Sequence, residues 1–226
     1  MTSRRTCQRP FLGVTFDLDG TLLYTLKDIM YSANHALAAH GFSGHRLETY
    51  RWLVGDGTRT LIERALPVGA RSEETVSACV RTYLDYYSRN WDAHTCLYAG
   101  IETVLDGLAD LDMSLAILSN KPHHFTRLCV QTFLNQWHFD PILGQREGTP
   151  KKPSPVLAQQ IIDRFGTDPG RILYVGDSGV DMKTAVNAGM YPVGAVWGFR
   201  SAGELVDAGA RSLLNRPSDL LPLIDS

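Results

Sequence analysis

The sequence has no long hydrophobic run, and none of its apolar stretches approaches the ~20 residues that a membrane-crossing helix needs. Cysteine is sparse and scattered. Cys7, Cys79, Cys96 and Cys129 form no C-x-x-C pair and have no histidine pattern beside them that would hold zinc, so they read as free thiols in a reducing compartment. Neither sign of charge dominates: a formal net charge of -2 gives the whole chain no pull toward nucleic acid or an anionic membrane surface. Arg4 and Arg5 do not open a secretory leader, because Arg9-Pro10 follows and Asp17 cuts the next apolar run short. Internal repeats and low-complexity tracts are also missing. These absences point to a cytoplasmic protein with neither nucleic acid nor membrane as partner.

What is present is the composition of a soluble globular protein: 226 residues, 44% hydrophobic and 20% charged. That length allows one large domain or a core that carries a smaller insert. The most informative stretch is Phe11 to Thr21, where an apolar run stops on Asp17, Asp19 and Gly20. It reads as a buried strand that delivers two carboxylates to a reactive sheet edge, with glycine permitting a sharp exit. Side chains at i and i+2 of an extended segment share a face, so one carboxylate could attack phosphorus while the other handles protons. A divalent cation beside them would offset the repulsion between carboxylate and phosphate. The plainer readings are a solvated turn or a calcium loop; a calcium loop would need further oxygen ligands where Leu22, Leu23 and Tyr24 stand.

Apolar spacing predicts helices over Leu26 to Ala39, Thr58 to Ala65 and Ser72 to Asp92, so residues from about 24 to 97 are almost all helical. A parallel sheet does not need a crossover of that length, and an inserted helical domain is the economical explanation. Beyond it, strands alternate with helices. The strands are expected at Leu115 to Ser119, Pro141 to Gly144, Arg171 to Val175, Tyr191 to Val196 and Ser212 to Leu214. The helices between them are expected at Ile101 to Leu111, Phe125 to Leu134, Pro153 to Phe165, Val180 to Ala188 and Ala202 to Ala208. This alternation predicts an α/β fold, a doubly wound, Rossmann-like parallel sheet. The expected core is 1–23 with 98–226, and the expected helical cap domain is 24–97.

Three further strand or helix ends bear polar residues suited to phosphate. Ser119-Asn120 offers a hydroxyl and nearby N–H groups, though alone it reads as readily as a helix cap. Lys151-Lys152 precedes Pro153 and, unaided, reads as surface charge. Gly176-Asp177-Ser178 ends a strand, with Asp181 one turn on if a helix has begun.

Together these segments resemble the haloacid dehalogenase-like hydrolases. Phe16-Asp17-Leu18-Asp19-Gly20-Thr21-Leu22 is similar to the family's first motif, Leu118-Ser119-Asn120-Lys121-Pro122 to the second, Lys152 before a proline-rich segment to the third, and Gly176-Asp177-Ser178 to the fourth. Ser119-Asn120-Lys121-Pro122 resembles in particular the phosphoglycolate phosphatase branch. The resemblance implies that Asp17 is the nucleophile, Asp19 the general acid/base, Ser119 and Asn120 phosphate-binding, and Lys152 the cation that neutralises phosphate and nucleophile. It implies Mg²⁺ held by the carboxylates of Asp17 and Asp177 and the main-chain carbonyl of Asp19, with Asp181 one step behind. Thr21 is expected to hydrogen-bond Asp19 and to help hold phosphate.

The same resemblance makes the insert a cap over the site. Gly55-Asp56-Gly57 and Arg59 are similar to the cap loop of phosphoglycolate phosphatases, and Arg59 could pair with a substrate carboxylate or simply decorate a helix. Two positions depart from that branch: Tyr24-Thr25 stands where Asp-Ser is usual, and Asp112 replaces a common glycine. The expected activity is hydrolysis of a small phosphorylated metabolite, 2-phosphoglycolate first, by a monomer or homodimer. A sugar-phosphate mutase and a catalytically silent binding module remain the alternatives.

Overall fold

The structure is a computed structural model, and it describes residues 9–224. Cys7, Arg4 and Arg5 lie outside the described residues.

Six strands form one parallel sheet: β1 (Gly13–Phe16), β4 (Ser114–Pro122), β5 (Ile142–Gln145), β6 (Ile172–Gly176), β7 (Tyr191–Ala195) and β8 (Ser212–Leu214). Their order is β5-β4-β1-β6-β7-β8, so the chain builds outward from β1 in one direction, returns, and builds outward in the other. That reversal makes β1, flanked by β4 and β6, the topological switch point, where ligands bind beyond the carboxyl ends of the strands.

Period-two alternation assigns the core to both faces of the sheet. Val14, Phe16, Leu115, Ile117, Leu173 and Val175 point to one face, where they pack with α5 (Ile101–Asp110), α6 (His123–Phe133) and α10 (Leu220–Ile224). Ala116, Leu118, Ile172 and Tyr174 point to the other, against α7 (Val156–Phe165) and α8 (Gly179–Ala188). Helix α9 (Ala202–Asp207) packs beside α8 and β7. Met113 and β4 follow Asp112, which adopts φ 55, the left-handed conformation that suits the glycine expected there.

The insert holds α1 (Leu26–Ala39), α2 (Leu47–Leu53), α3 (Thr58–Ala65) and α4 (Glu73–Asn90), with its own apolar cluster of Ile29, Leu37, Tyr50, Ile62, Val76 and Tyr83. Ser72 caps α4 by accepting from the Thr75 N–H. The insert leaves and rejoins the core through a two-stranded antiparallel ribbon, β2 (Leu23–Tyr24) against β3 (Cys96–Leu97). Buried Asp28 fastens its two ends together, accepting from the His94 N–H, at 2.9 Å and 3.0 Å, and from the Thr95 hydroxyl at 2.8 Å.

The structure differs from the sequence reading in local ways. Helix α2 and the ribbon were not foreseen, and β4 runs on through Asn120 and Lys121 to Pro122. Helix α7 begins at Val156 rather than Pro153, because the chain first makes a turn in which the Ser154 N–H donates to the Lys151 carbonyl.

Candidate active site

Asp17 is the first residue past β1, and its N–H still donates to the Val175 carbonyl of β6. The chain then leaves the strand in a tight turn, with the N–H groups of Thr21, Leu22 and Leu23 gathered on the Leu18 carbonyl. Asp19 lies within this turn, in a β-bridge with Leu23, and borders the same cavity as Asp17. Its carboxylate accepts from the Lys121 ammonium, at 2.9 Å to Oδ1 and 3.2 Å to Oδ2.

Lys152 reaches back from its loop to sit behind the nucleophile position. Its buried Nζ donates to Asp17 Oδ1 at 2.8 Å, Asp181 Oδ1 at 2.6 Å and the Leu118 carbonyl at 3.1 Å. Asp181 occupies the third position of α8, where its Oδ2 accepts from the Ser178 N–H and hydroxyl in a capping box. Asp177 leaves β6 beside it, with Oδ2 accepting from the Phe199 N–H at 2.7 Å.

Close backbone approach makes room for this cluster. A Cβ on Gly198 would lie 2.2 Å from the Asp177 Cβ, and one on Gly20, whose φ is +89, would lie 2.3 Å from Asp177 Oδ2.

Burial sets the electrostatics. It pushes Asp17 up to about 7, with the charges of Asp181 and Asp19 adding and Lys152 opposing. Asp177 is raised well above the usual carboxylate range by burial, then by Asp181 and Asp17. Burial works to lower the Lys152 ammonium, but Asp17 and Asp181 overcome it and hold the group well above its ordinary value. Lys121 behaves the same way, held up by Asp19 against its own burial.

The donor set fits a hard divalent cation. Carboxylate oxygens of Asp17, Asp177 and Asp181 all lie within 4.8 Å of one another, and these three buried acids face one ammonium, Lys152. Both Asp181 oxygens are engaged by Lys152 and Ser178. Asp17 Oδ2 and Asp177 Oδ1 accept no hydrogen bond among the described residues, which leaves them to a ligand. Oxygen donors and excess buried negative charge suit Mg²⁺.

A single cavity collects most of the expected residues: Asp17, Asp19, Ser119, Asn120 and Asp177 border it from the core, and Gly55 and Gly57 from the insert. Five expected residues are not on its lining: Lys152 and Asp181, which reach the site through their contacts with Asp17 and each other, and Arg59, Asp56 and Thr21. Arg59 points away from the cavity and pairs with Glu73 on the exposed face between α3 and α4. Asp56 pairs with Arg64, while its carbonyl accepts from Lys151. The Thr21 hydroxyl is buried without a hydrogen-bond partner among the described residues, so the expected bond to Asp19 is not made, and Lys121 takes that place.

Asn120 is also employed differently from the sequence expectation. Its side-chain amide accepts from the Lys152 N–H at 2.9 Å and donates to the carbonyls of Gly55 at 3.0 Å and Lys152 at 3.3 Å. The side chain is thus committed to joining the insert to the Lys152 loop.

Lys121 is the residue the sequence reading quoted but gave no task. Its signal was its place beside Ser119-Asn120 on a strand that continues further than the apolar run. Arg51 and Arg200 were missed as well. Arg51 of α2 donates to the carbonyls of Gly198 and Phe199, and Arg200 donates in return to those of Trp52 and Val54.

Fold and site together define a hydrolase whose core sheet presents an acidic cluster beneath a helical insert. The family model for haloacid dehalogenase-like hydrolases matches residues 14–195, and the chain belongs to that family. Among its curated relatives, the phosphoglycolate phosphatase of Pectobacterium atrosepticum is 30% identical over 220 residues, covering 94% of this chain and 92% of that protein. The phosphoglycolate phosphatase of Aquifex aeolicus is 29% identical over 213 residues, 94% of this chain and 96% of the relative. Of the solved structures, a "predicted phosphoglycolate phosphatase" from Haemophilus somnus superposes with a TM-score of 0.88 at 26% identity, covering 96% of this chain and 99% of its own. No helix among the described residues is long and apolar enough to cross a membrane.

Proposed function

We propose that this protein is a Mg²⁺-dependent phosphatase of the cytoplasm that hydrolyses a small phosphate monoester through a covalent aspartyl phosphate on Asp17. The observation behind this reading is the convergence of Asp17, Asp177 and Lys152 at the carboxyl edge of β1 and β6, under residues 24–97 acting as a cap. The names of the relatives make 2-phosphoglycolate the first compound to test.

One carboxylate oxygen of Asp17 attacks phosphorus as the bond to the leaving oxygen breaks. Lys152 holds Asp17 in place and draws off negative charge from the nucleophile's side. The Ser119 hydroxyl, which borders the cavity and accepts from the Lys121 N–H, is placed to donate to a phosphoryl oxygen. Asp19 gives its proton to the departing alkoxide, then takes one from the water that cleaves the acyl phosphate. Lys121 fixes the Asp19 carboxylate through both steps. Mg²⁺, held by the carboxylates of Asp17 and Asp177 and the main-chain carbonyl of Asp19, would supply the positive charge that lets a phosphate dianion approach these acids.

The test is phosphate release from a panel of small organic phosphates with Mg²⁺, repeated with EDTA and with Asp17→Asn. Loss of release in both supports the reading; full release in either overturns it.

A further inference from the structure

The apolar residues of the cavity lining give it a second chemistry. The insert contributes Ile29, Val54, Leu61, Tyr83, Leu84 and Tyr87, and the core adds Phe125 and Phe199. The aromatic part is built as a unit: Tyr83 and Tyr87 stack with centroids 5.4 Å apart, and Tyr87 meets Phe125 edge to face at 4.9 Å. Tyr87 is buried, and its hydroxyl makes no hydrogen bond among the described residues.

The cations that border this cavity are already engaged. Lys121 is paired with Asp19 and sits over the Tyr87 ring, 5.0 Å from its centroid. Arg200 is paired with Glu204, 3.7 Å away, donates to the Trp52 and Val54 carbonyls and lies over the Trp52 ring. Arg59, which the sequence offered as a carboxylate reader, is outside the cavity and paired with Glu73.

The charges around the nucleophile leave no surplus either. Asp17, Asp19, Asp177 and Asp181 are opposed by Lys121 and Lys152, and one divalent cation brings the group to balance. A phosphate dianion then enters at a cost the transfer chemistry must meet. A second anion on the leaving group would be buried against tyrosine, leucine and phenylalanine with no cation free to pair with it.

We propose that the leaving group this cavity accepts is an uncharged, largely apolar alcohol, in preference to a carboxylate-bearing alcohol such as glycolate. This inference rests on the phosphatase reading above and narrows its substrate class.

Matched esters test it. The kcat/KM values for propyl phosphate against 2-phosphoglycolate, and for benzyl phosphate against 4-carboxybenzyl phosphate, are compared with saturating Mg²⁺. The uncharged ester of each pair should be favoured by at least about 10-fold, which corresponds to about 1.4 kcal/mol. The half-buried Leu84, changed to Lys, should narrow or reverse the preference in both pairs while leaving the uncharged esters as substrates. Equal or better turnover of the carboxylated esters by the wild type overturns the inference and leaves the phosphatase reading standing. Failure to hydrolyse any ester of the panel with Mg²⁺ overturns the phosphatase reading itself.

Discussion

Phe199 joins the two halves of the molecule: its N–H donates to Asp177 at 2.7 Å, its ring packs in the apolar cluster of the insert, and its carbonyl accepts from Arg51 of α2 at 3.2 Å. One carboxylate of the candidate metal cluster is therefore held by a backbone segment that the insert itself grips. Anything that loosens the grip should loosen Asp177.

Arg51→Ala should weaken divalent-cation binding about 5- to 10-fold, the effect of losing roughly one hydrogen bond's worth of positioning for a charged group. Mn²⁺ titration followed by electron paramagnetic resonance reads this without turnover. Unchanged affinity would show that the Phe199 segment keeps its place without the insert.

Gly198→Ala places a methyl group 2.2 Å from the Asp177 Cβ and 2.5 Å from the Gly20 carbonyl, and neither backbone can yield freely. Overpacking of this kind costs about 1–3 kcal/mol. Urea denaturation should show that loss, and cation affinity should fall with it, whereas Gly69→Ala, where a Cβ meets nothing within 4 Å, serves as the control.

The pH dependence of stability follows from Asp17. Its folded value of about 7 lies above the 3.8 of a free aspartate, so between those limits the native state holds more protons than the unfolded one. Stability then falls as pH rises through that window and levels off above it. Asp177, raised for the same reason, contributes with the same sign. In metal-free buffer the difference in urea midpoint between wild type and Asp17→Asn should widen in favour of the variant from pH 4 toward pH 7, and Mg²⁺ should close the gap. A gap independent of pH would refute the assignment.

Lys121 is buried and Asp19, its partner, largely so, so each should be more harmful to lose alone than together. Lys121→Met or Asp19→Asn leaves an unmatched buried group, at a cost of about 3 kcal/mol or more. The double variant should recover part of that stability in a thermal melt while remaining inactive. Strictly additive losses would mean that the pair contributes no coupling.

How much of this was legible beforehand follows from the kind of signal involved. β1, β4, β5 and β6 were readable because buried parallel strands are continuous apolar runs, and Asp17 and Asp177 stood out as acids at the ends of β1 and β6. Helix α1 was found to the residue by its apolar spacing. Helix α2 was not, because in Leu47–Leu53 only Tyr50 is buried, and the segment is too short to show a period. The ribbon of β2 and β3 was hidden because its strands are two residues each and more than 70 positions apart. Side-chain partners that depend on long-range approach could not be read at all. Lys121 meets Asp19 only because β4 lies beside β1, and Arg59 is drawn to Glu73 only because α3 packs on α4.

The covalent intermediate on Asp17 is the centre of the account, and chemical trapping reads it directly. The enzyme is quenched during steady-state turnover of a hydrolysed ester with Mg²⁺, reduced with borohydride, digested and examined by mass spectrometry. An acyl phosphate is reduced to the alcohol, so the account predicts homoserine at position 17, formed only when substrate is present and retained at higher yield in Asp19→Asn, where the water step is slowed. Unmodified Asp17 under turnover in both proteins, with reduction at another carboxylate or at none, would contradict it.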